Sequence, residues 1–283
     1  MPDISTQEFS FNSKKGRPFL ADIHYPSNAS SFPLIIFCHG FKGFKDWGHF
    51  NLLARKYAEK GYGFLKFNFS MNGISGSNLL EITDLESFGR NTFSMEMDDL
   101  DILINEILKS EFAPKIRHIL MMGHSRGGGT ALLKTSHDVR ISGAVALASV
   151  HDFAGRWPKE IIDKWRSDGV MHVPNSRTGL AMPVYFDLAE DFIANRSFLD
   201  IPAAMKALKV PVLLFHGDMD ETLPVETAYE LDSHSAFSQL HILEGSGHTF
   251  GGRHPWTSDE LPEDVQFIFE ESLRFFEQNQ LQA

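Results

Sequence analysis

Strand-length apolar runs alternate with helix-patterned stretches along most of this 283-residue chain, and that rhythm restricts the fold more than any other feature. After a hairpin predicted over Glu8–Phe11 and Phe19–Tyr25, the runs are Leu34–Cys38, Gly63–Phe69, His118–Met122, Gly143–Ser149, Val212–Phe215 and Gln239–Leu243. Several are apolar throughout, as strands covered on both faces must be. Helices are predicted between them at His49–Lys60, Phe93–Lys109, Gly127–Ser136, Val225–Ser233 and Asp259–Gln278. In the second, Met95, Leu100, Leu103, Ile104, Ile107 and Leu108 keep the 3.6-residue period; in the last, Val265, Ile268, Phe269, Leu273 and Phe276 do the same. Strand and helix in alternation give an α/β class with a mostly parallel central sheet and helices on both faces.

The rhythm breaks once. Some sixty residues separate the strand ending near Val150 from the one starting near Val210, far more than a crossover needs. This stretch is rich in large side chains (Trp157, Trp165, Met171, Met182, Tyr185, Phe186, Phe192), with short helical patterns at Lys159–Asp168 and Pro183–Arg196. We expect one domain, 1–283, with an inserted helical cap at 151–209; a peripheral helical excursion away from the chemistry is the alternative. The tail from Gln278 to Ala283 reads as frayed.

The strongest local signal is Gly123-His124-Ser125-Arg126-Gly127, a G-x-S-x-G string between a predicted strand and a predicted helix. A serine on such a tight turn is exposed above the sheet, and the flanking glycines are needed because a Cβ would strike neighbouring backbone. Two further segments follow later strands: His216-Gly217-Asp218-Met219-Asp220-Glu221-Thr222-Leu223-Pro224 and Gly245-Ser246-Gly247-His248. All three leave carboxyl ends of strands, where open α/β sheets build their sites. The order serine, aspartate, histidine is the one an α/β-hydrolase arrangement requires. Asp218 and Asp220 both compete for the acid role.

Together these segments resemble the α/β-hydrolase superfamily, from about Leu34 onward. Within it, His39-Gly40-Phe41, Phe67-Asn68-Phe69-Ser70-Met71-Asn72-Gly73 and the long insertion are similar to small bacterial esterases, among them the cinnamoyl and feruloyl esterase and dienelactone-hydrolase-like branches. The dienelactone hydrolases use a cysteine nucleophile where this chain has Ser125. The resemblance implies the α/β-hydrolase fold with a small helical cap, Ser125 as nucleophile, His248 as base and Asp220 rather than Asp218 as its carboxylate partner. It also implies an oxyanion site made by the backbone N–H groups of Phe41 and Arg126. The expected activity is hydrolysis of a carboxylic ester through an acyl-enzyme. A small aminopeptidase or acylpeptidase of the prolyl-oligopeptidase type is a second enzymatic reading, although those usually carry a further domain upstream. A non-catalytic ligand receptor on the same fold is a third.

Substrate contacts are expected from Phe44, Trp47, Trp157 and Tyr185; Phe44, Trp47 and His49 either line the pocket or seal it. The Arg126 side chain either meets a substrate carboxylate or pairs with an acidic neighbour. No cofactor or metal is expected, because no two histidines have ligand spacing on one predicted helix. Composition limits the partners: 26 Lys+Arg against 37 Asp+Glu gives a net charge of −11 with no basic tract, which disfavours nucleic acid. No apolar run is long enough to span a bilayer, and the start Met1-Pro2-Asp3-Ile4-Ser5 lacks a charged and then apolar leader pattern. The one cysteine, Cys38, permits no internal disulfide and reads as a buried small hydrophobe. A cytoplasmic enzyme acting on a small-molecule ester, as monomer or homodimer, is the expectation.

Overall fold

The computed structural model describes residues 3–76, 78–153, 157–175 and 177–282. The chain runs β1 (Ile4–Asn12), β2 (Pro18–Pro26), β3 (Phe32–Cys38), α1 (Phe50–Glu59), β4 (Gly63–Phe67), α2 (Leu85–Gly89), α3 (Phe93–Ile107), β5 (Ile116–His124), α4 (Arg126–His137) and β6 (Ile141–Leu147). It continues through α5 (Lys159–Asp168), β7 (Val170–Pro174), β8 (Ala181–Tyr185), α6 (Asp187–Ala194), α7 (Ile201–Ala207), β9 (Val212–Gly217), α8 (Glu226–Ser233), β10 (Ser238–Leu243) and α9 (Glu263–Gln278). Eight strands form one sheet in the order β1-β2-β4-β3-β5-β6-β9-β10. The β1–β2 hairpin is antiparallel to its neighbour β4, and all later pairings are parallel.

Side-chain alternation explains why the central strands read as unbroken apolar runs. In β3, Leu34, Ile36 and Cys38 face a layer containing Leu100, Leu103 and Ile104 of α3 and Leu132 of α4. Ile35 and Phe37 face the opposite layer, with Leu53 and Tyr57 of α1 and Ile268, Phe269 and Phe276 of α9. Both faces of the strand are dry, so no position tolerates a polar residue. Cys38 is fully buried, and burial raises its thiol pKa well above the ordinary value.

The interval after β6 is only partly helical. Besides α5, α6 and α7 it contains a separate antiparallel hairpin, β7 paired with β8. The expected helix at Pro183–Arg196 therefore corresponds to the end of a strand and the shorter α6. The hairpin alternates, with Met182 and Val184 buried and Pro183 and Tyr185 half-buried, which is a strand period that large side chains obscure in the sequence. The tail also departs from expectation: Leu281 is buried among Gly143 and the α9 layer, and its N–H bonds to the Phe276 carbonyl at 2.7 Å. An apolar side chain three residues beyond the helix is enough to fold the end back. No described helix is long and apolar enough to cross a membrane.

Four charges are buried where β2 and β4 meet the loop after β3. Lys66 Nζ lies 2.6 Å from both Asp22 Oδ1 and Asp46 Oδ1, while Lys45 Nζ lies 2.5 Å from Asp22 Oδ2 and 2.6 Å from Asp46 Oδ2. Burial works against ionisation of Asp22, yet His24, Lys66 and Lys45 hold it well below the usual carboxylate range. Each ion is tolerable only because the others are present. Lys66→Met, which keeps the volume and removes the charge, is expected to destabilise the fold by about 3–5 kcal/mol by leaving two carboxylates on one ammonium. Urea unfolding of Lys66→Met and of Lys66→Met with Asp46→Asn checks this: the double variant should be the more stable of the two.

Candidate active site

Ser125 is the single residue between β5 and α4, at φ 57° and ψ −120°. A residue with a Cβ is uncommon there, and the flanking glycines show why the turn can close so tightly. A Cβ on Gly123 would stand 2.1 Å from the Gly127 carbonyl oxygen, and one on Gly127 would stand 2.3 Å from the Cys38 carbonyl oxygen. The Ser125 N–H is fixed to the Leu147 carbonyl of β6 at 2.8 Å.

The turns after β9 and β10 meet this serine. His248 Nε2 lies 3.0 Å from Ser125 Oγ, and its Nδ1 lies 2.7 Å from Asp220 Oδ2. The other Asp220 oxygen accepts the N–H groups of Thr222 and Leu223 at 2.7 and 2.8 Å. Burial opposes charge on Asp220, but His216, His248 and the Leu223 N–H outweigh it and keep the group a carboxylate. An acceptor on one side of the ring fixes the proton on Nδ1, which leaves Nε2 free to accept the serine proton. Asp218, the competing acid, is exposed and accepts the Gly245 N–H at 2.7 Å, so it ties two turns together and does not reach the ring.

The loop after β3 packs directly on this turn. A Cβ on Gly40 would come within 3.1 Å of Ser125 Cβ, so only glycine lets the loop approach so closely. No hydrogen bond to a described residue occupies the N–H of Phe41 or of Arg126. Three side chains hold the loop from behind. His39 donates from Nδ1 to the Gly40 carbonyl at 2.9 Å, and its Nε2 accepts the Phe69 N–H at 3.3 Å. Asn68 Oδ1 accepts the Lys45 N–H at 2.8 Å, and Asn72 Nδ2 lies 3.2 Å from Asn68 Oδ1 and 3.3 Å from His39 Nε2. Nothing in the spacing of Asn68 and Asn72 identifies this support.

The Arg126 side chain turns inward. It forms an ion pair with Glu96 of α3 at 2.9 Å and lies 4.5 Å from the Phe93 ring and 5.5 Å from the Phe41 ring. Of its two sequence readings, the acidic neighbour is the one present, and because thirty residues separate the pair nothing in the sequence marks Glu96 as that neighbour. Phe44 is fully buried with its ring edge-on to His254, and Trp47 packs on Phe50, His49 and His254. Trp157 lies against Phe93, Trp165 and Phe192. The Tyr185 hydroxyl donates to Glu86 at 2.5 Å while Arg90 covers its ring. No cluster of metal-ligating side chains occurs among the described residues.

Near the site, the rings of His39 and His49 are buried and that of His124 is half-buried. Burial lowers His39 and His49 to about 4 and His124 to about 3, so each is neutral at pH 7 in the folded chain. Unfolded, each would take a proton near pH 6.5. Between these values the unfolded chain binds more protons, so stability rises with pH and is lost as pH falls below about 6.5. Asp99 opposes this: burial raises it to about 7, so in the same window the folded chain holds one extra proton. The histidines outnumber it. The urea midpoint is expected to fall steeply as pH drops from about 6.5 to about 4.5, and a midpoint flat across that window would contradict the burial of these rings.

The family model for the alpha/beta hydrolase family matches residues 35–260, which run from within β3 through the turn at Ser125, Asp220 and His248. The chain belongs to the alpha/beta hydrolase family. Solved structures of this hydrolase fold lie close to it at low identity. Est1E from Butyrivibrio proteoclasticus, solved with ferulic acid bound, has a TM-score of 0.70 at 18% identity over 96% of this chain and 99% of that one. The esterase domain of a Rhodothermus marinus protein has a TM-score of 0.65 at 16% identity over 97% and 98%. The Pyrococcus horikoshii acylaminoacyl peptidase has a TM-score of 0.68 at 16% identity, covering 99% of this hydrolase chain but 42% of the peptidase. No curated protein sequence matches the chain.

Proposed function

We propose that this hydrolase cleaves a carboxylic ester of a small molecule through an acyl-enzyme on Ser125. The observation that carries the reading is the unbroken line from Ser125 Oγ to His248 Nε2 at 3.0 Å and from His248 Nδ1 to Asp220 Oδ2 at 2.7 Å. A serine hydroxyl is a poor nucleophile at neutral pH unless a base stands within hydrogen-bond reach. His248 takes the proton as Oγ attacks the acyl carbon, and the Asp220 carboxylate offsets the imidazolium charge. The carbonyl oxygen becomes an oxyanion, for which the free N–H groups of Phe41 and Arg126 are the donors. The imidazolium then protonates the leaving alkoxide. Water, activated by the same ring, attacks the acyl-enzyme and releases the acid.

The interval 151–209 acts in this reading as a cap within a single hydrolase domain. It docks beside the site through Arg90 to Asp187 at 3.1 Å, Tyr185 to Glu86, and the Ser94 N–H to Asp191 at 2.9 Å. No cofactor enters the mechanism, and a soluble cytoplasmic enzyme remains the expected setting. Est1E with its bound ferulic acid supports an ester substrate. The likeness to the acylaminoacyl peptidase keeps amide hydrolysis as the competing reading, and rates on matched ester and anilide substrates separate the two. A fluorophosphonate probe tests the nucleophile: the label should map to the peptide carrying Ser125 and be absent from Ser125→Ala. Folded protein that takes no label would sink the proposal.

A further inference from the structure

Several cations near Ser125 are neutralised by carboxylates, whereas among the described residues Lys42 and Arg177 are not. Arg126 is paired with Glu96, and Lys45 and Lys66 with Asp22 and Asp46. Lys42, next to Phe41, is partly buried and donates to the Pro174 carbonyl at 3.1 Å. Among the described residues no carboxylate comes within ion-pair distance of its Nζ, and burial lowers its pKa with no acid to restore it. Arg177, in the turn between β7 and β8, has its guanidinium 5.8 Å from the Phe44 ring and likewise no described carboxylate partner. Glu81, the acid that acts on nearby His254, is bonded to Asn78 at 3.1 Å. Lys42 is partly buried and Arg177 is exposed, so in a chain of net charge −11 these two cations are positive groups left open to an incoming anion.

The two lie along one seam. Lys42 reaches Pro174 and Phe44 meets Arg177, so the loop after β3 faces the tip of the hairpin with one cation contributed by each. The seam borders the reaction centre, because Gly40 touches Ser125 and Lys42 is two peptide units further, at most about 7.6 Å along the chain. The Lys42 backbone is held at φ 61°, an uncommon conformation for a residue with a side chain. An ammonium has three donors and a guanidinium five; among the described residues the one hydrogen bond from either group is that of Lys42 to the Pro174 carbonyl.

We propose that Lys42 and Arg177 together bind an anionic group, carboxylate or phosphate, carried by the ester substrate several bonds from the scissile carbonyl. The proposal rests on the reading of Ser125 as the nucleophile. The test compares kcat/KM for methyl half-esters of dicarboxylic acids from succinate to suberate with the matching dimethyl esters, and for a phosphate-bearing acetyl ester with its uncharged alcohol counterpart. For at least one chain length the anionic ester should be preferred by about 10-fold or more. The arm that shows the preference identifies carboxylate or phosphate as the ligand. Lys42→Gln and Arg177→Gln should each bring that ratio towards one. Ser125-dependent hydrolysis with no anionic preference at any length, or a preference that survives both substitutions, overturns the inference and leaves the nucleophile in place. No Ser125-dependent hydrolysis of any ester overturns both.

Discussion

Ser125→Ala is expected to lower kcat on a short-chain p-nitrophenyl ester by about 10⁴- to 10⁶-fold while the protein stays folded. The substitution deletes one oxygen, whose one side-chain hydrogen bond among the described residues is to His248, and leaves the backbone of the turn held by its bonds to Leu147 and Val150 of β6 and its following loop. Neighbouring glycines supply the room whether or not the hydroxyl is present. Catalysis remaining in the variant would come from oriented N–H donors and an intact base acting on water, which accounts for a residual rate above the uncatalysed one. Steady-state kinetics with far-ultraviolet circular dichroism as the folding control measures the effect. A variant that retains the parental rate would move the nucleophile elsewhere in the chain.

Asp220→Asn is expected to cost about 10⁴-fold in kcat with little change in fold. Both Asp220 oxygens are engaged: one takes the Thr222 and Leu223 N–H groups, and the other takes His248 Nδ1 and lies 3.3 Å from His216 Nε2. An asparagine must turn its NH₂ towards one of these sets. Facing the imidazole, it forces the proton from Nδ1 to Nε2, where the ring can no longer accept from serine. Facing the turn, it sets donor against donor in a buried place, at a cost of about 1–3 kcal/mol. The first arrangement is the cheaper, so the loss should fall on kcat, with KM almost unchanged. Asp218→Asn provides the contrast: among the described residues its carboxylate accepts one hydrogen bond, from the Gly245 N–H, and a comparable loss there would reverse the assignment of the two carboxylates.

Much of this architecture is legible from sequence because the constraints are local. The strands β3 and β9, and the stretches Ile119–Gly123 of β5 and Gly143–Leu147 of β6, are dry on both faces and leave a mark no surface segment imitates, and the turn at Ser125 needs glycine within a few residues on each side. The spacing Asp220 to Leu223 and Pro224 likewise reflects a carboxylate that accepts N–H groups from its own turn. Contacts that join distant segments leave no such mark. Glu96 gives no sign that it will meet Arg126, and the four-ion cluster brings together residues of β2, β4 and the intervening loop whose partners only folding defines. The hairpin of β7 and β8 was hidden for another reason: its five-residue strands carry bulky residues on both faces, so alternation is weak beside a helical α6.

The bond from Ser125 to His248 closes a loop of 123 residues, whereas Asp220 and His248 are 28 apart. Contacts between remote segments form late, since chain entropy must be surrendered before they contribute. On the proposed role of Ser125, a nascent chain that has completed the strands through β6 still lacks the proton acceptor of its nucleophile. In that reading reactivity waits until the two final strands join the sheet, and an immature molecule exposes a serine chemically no different from any other alcohol.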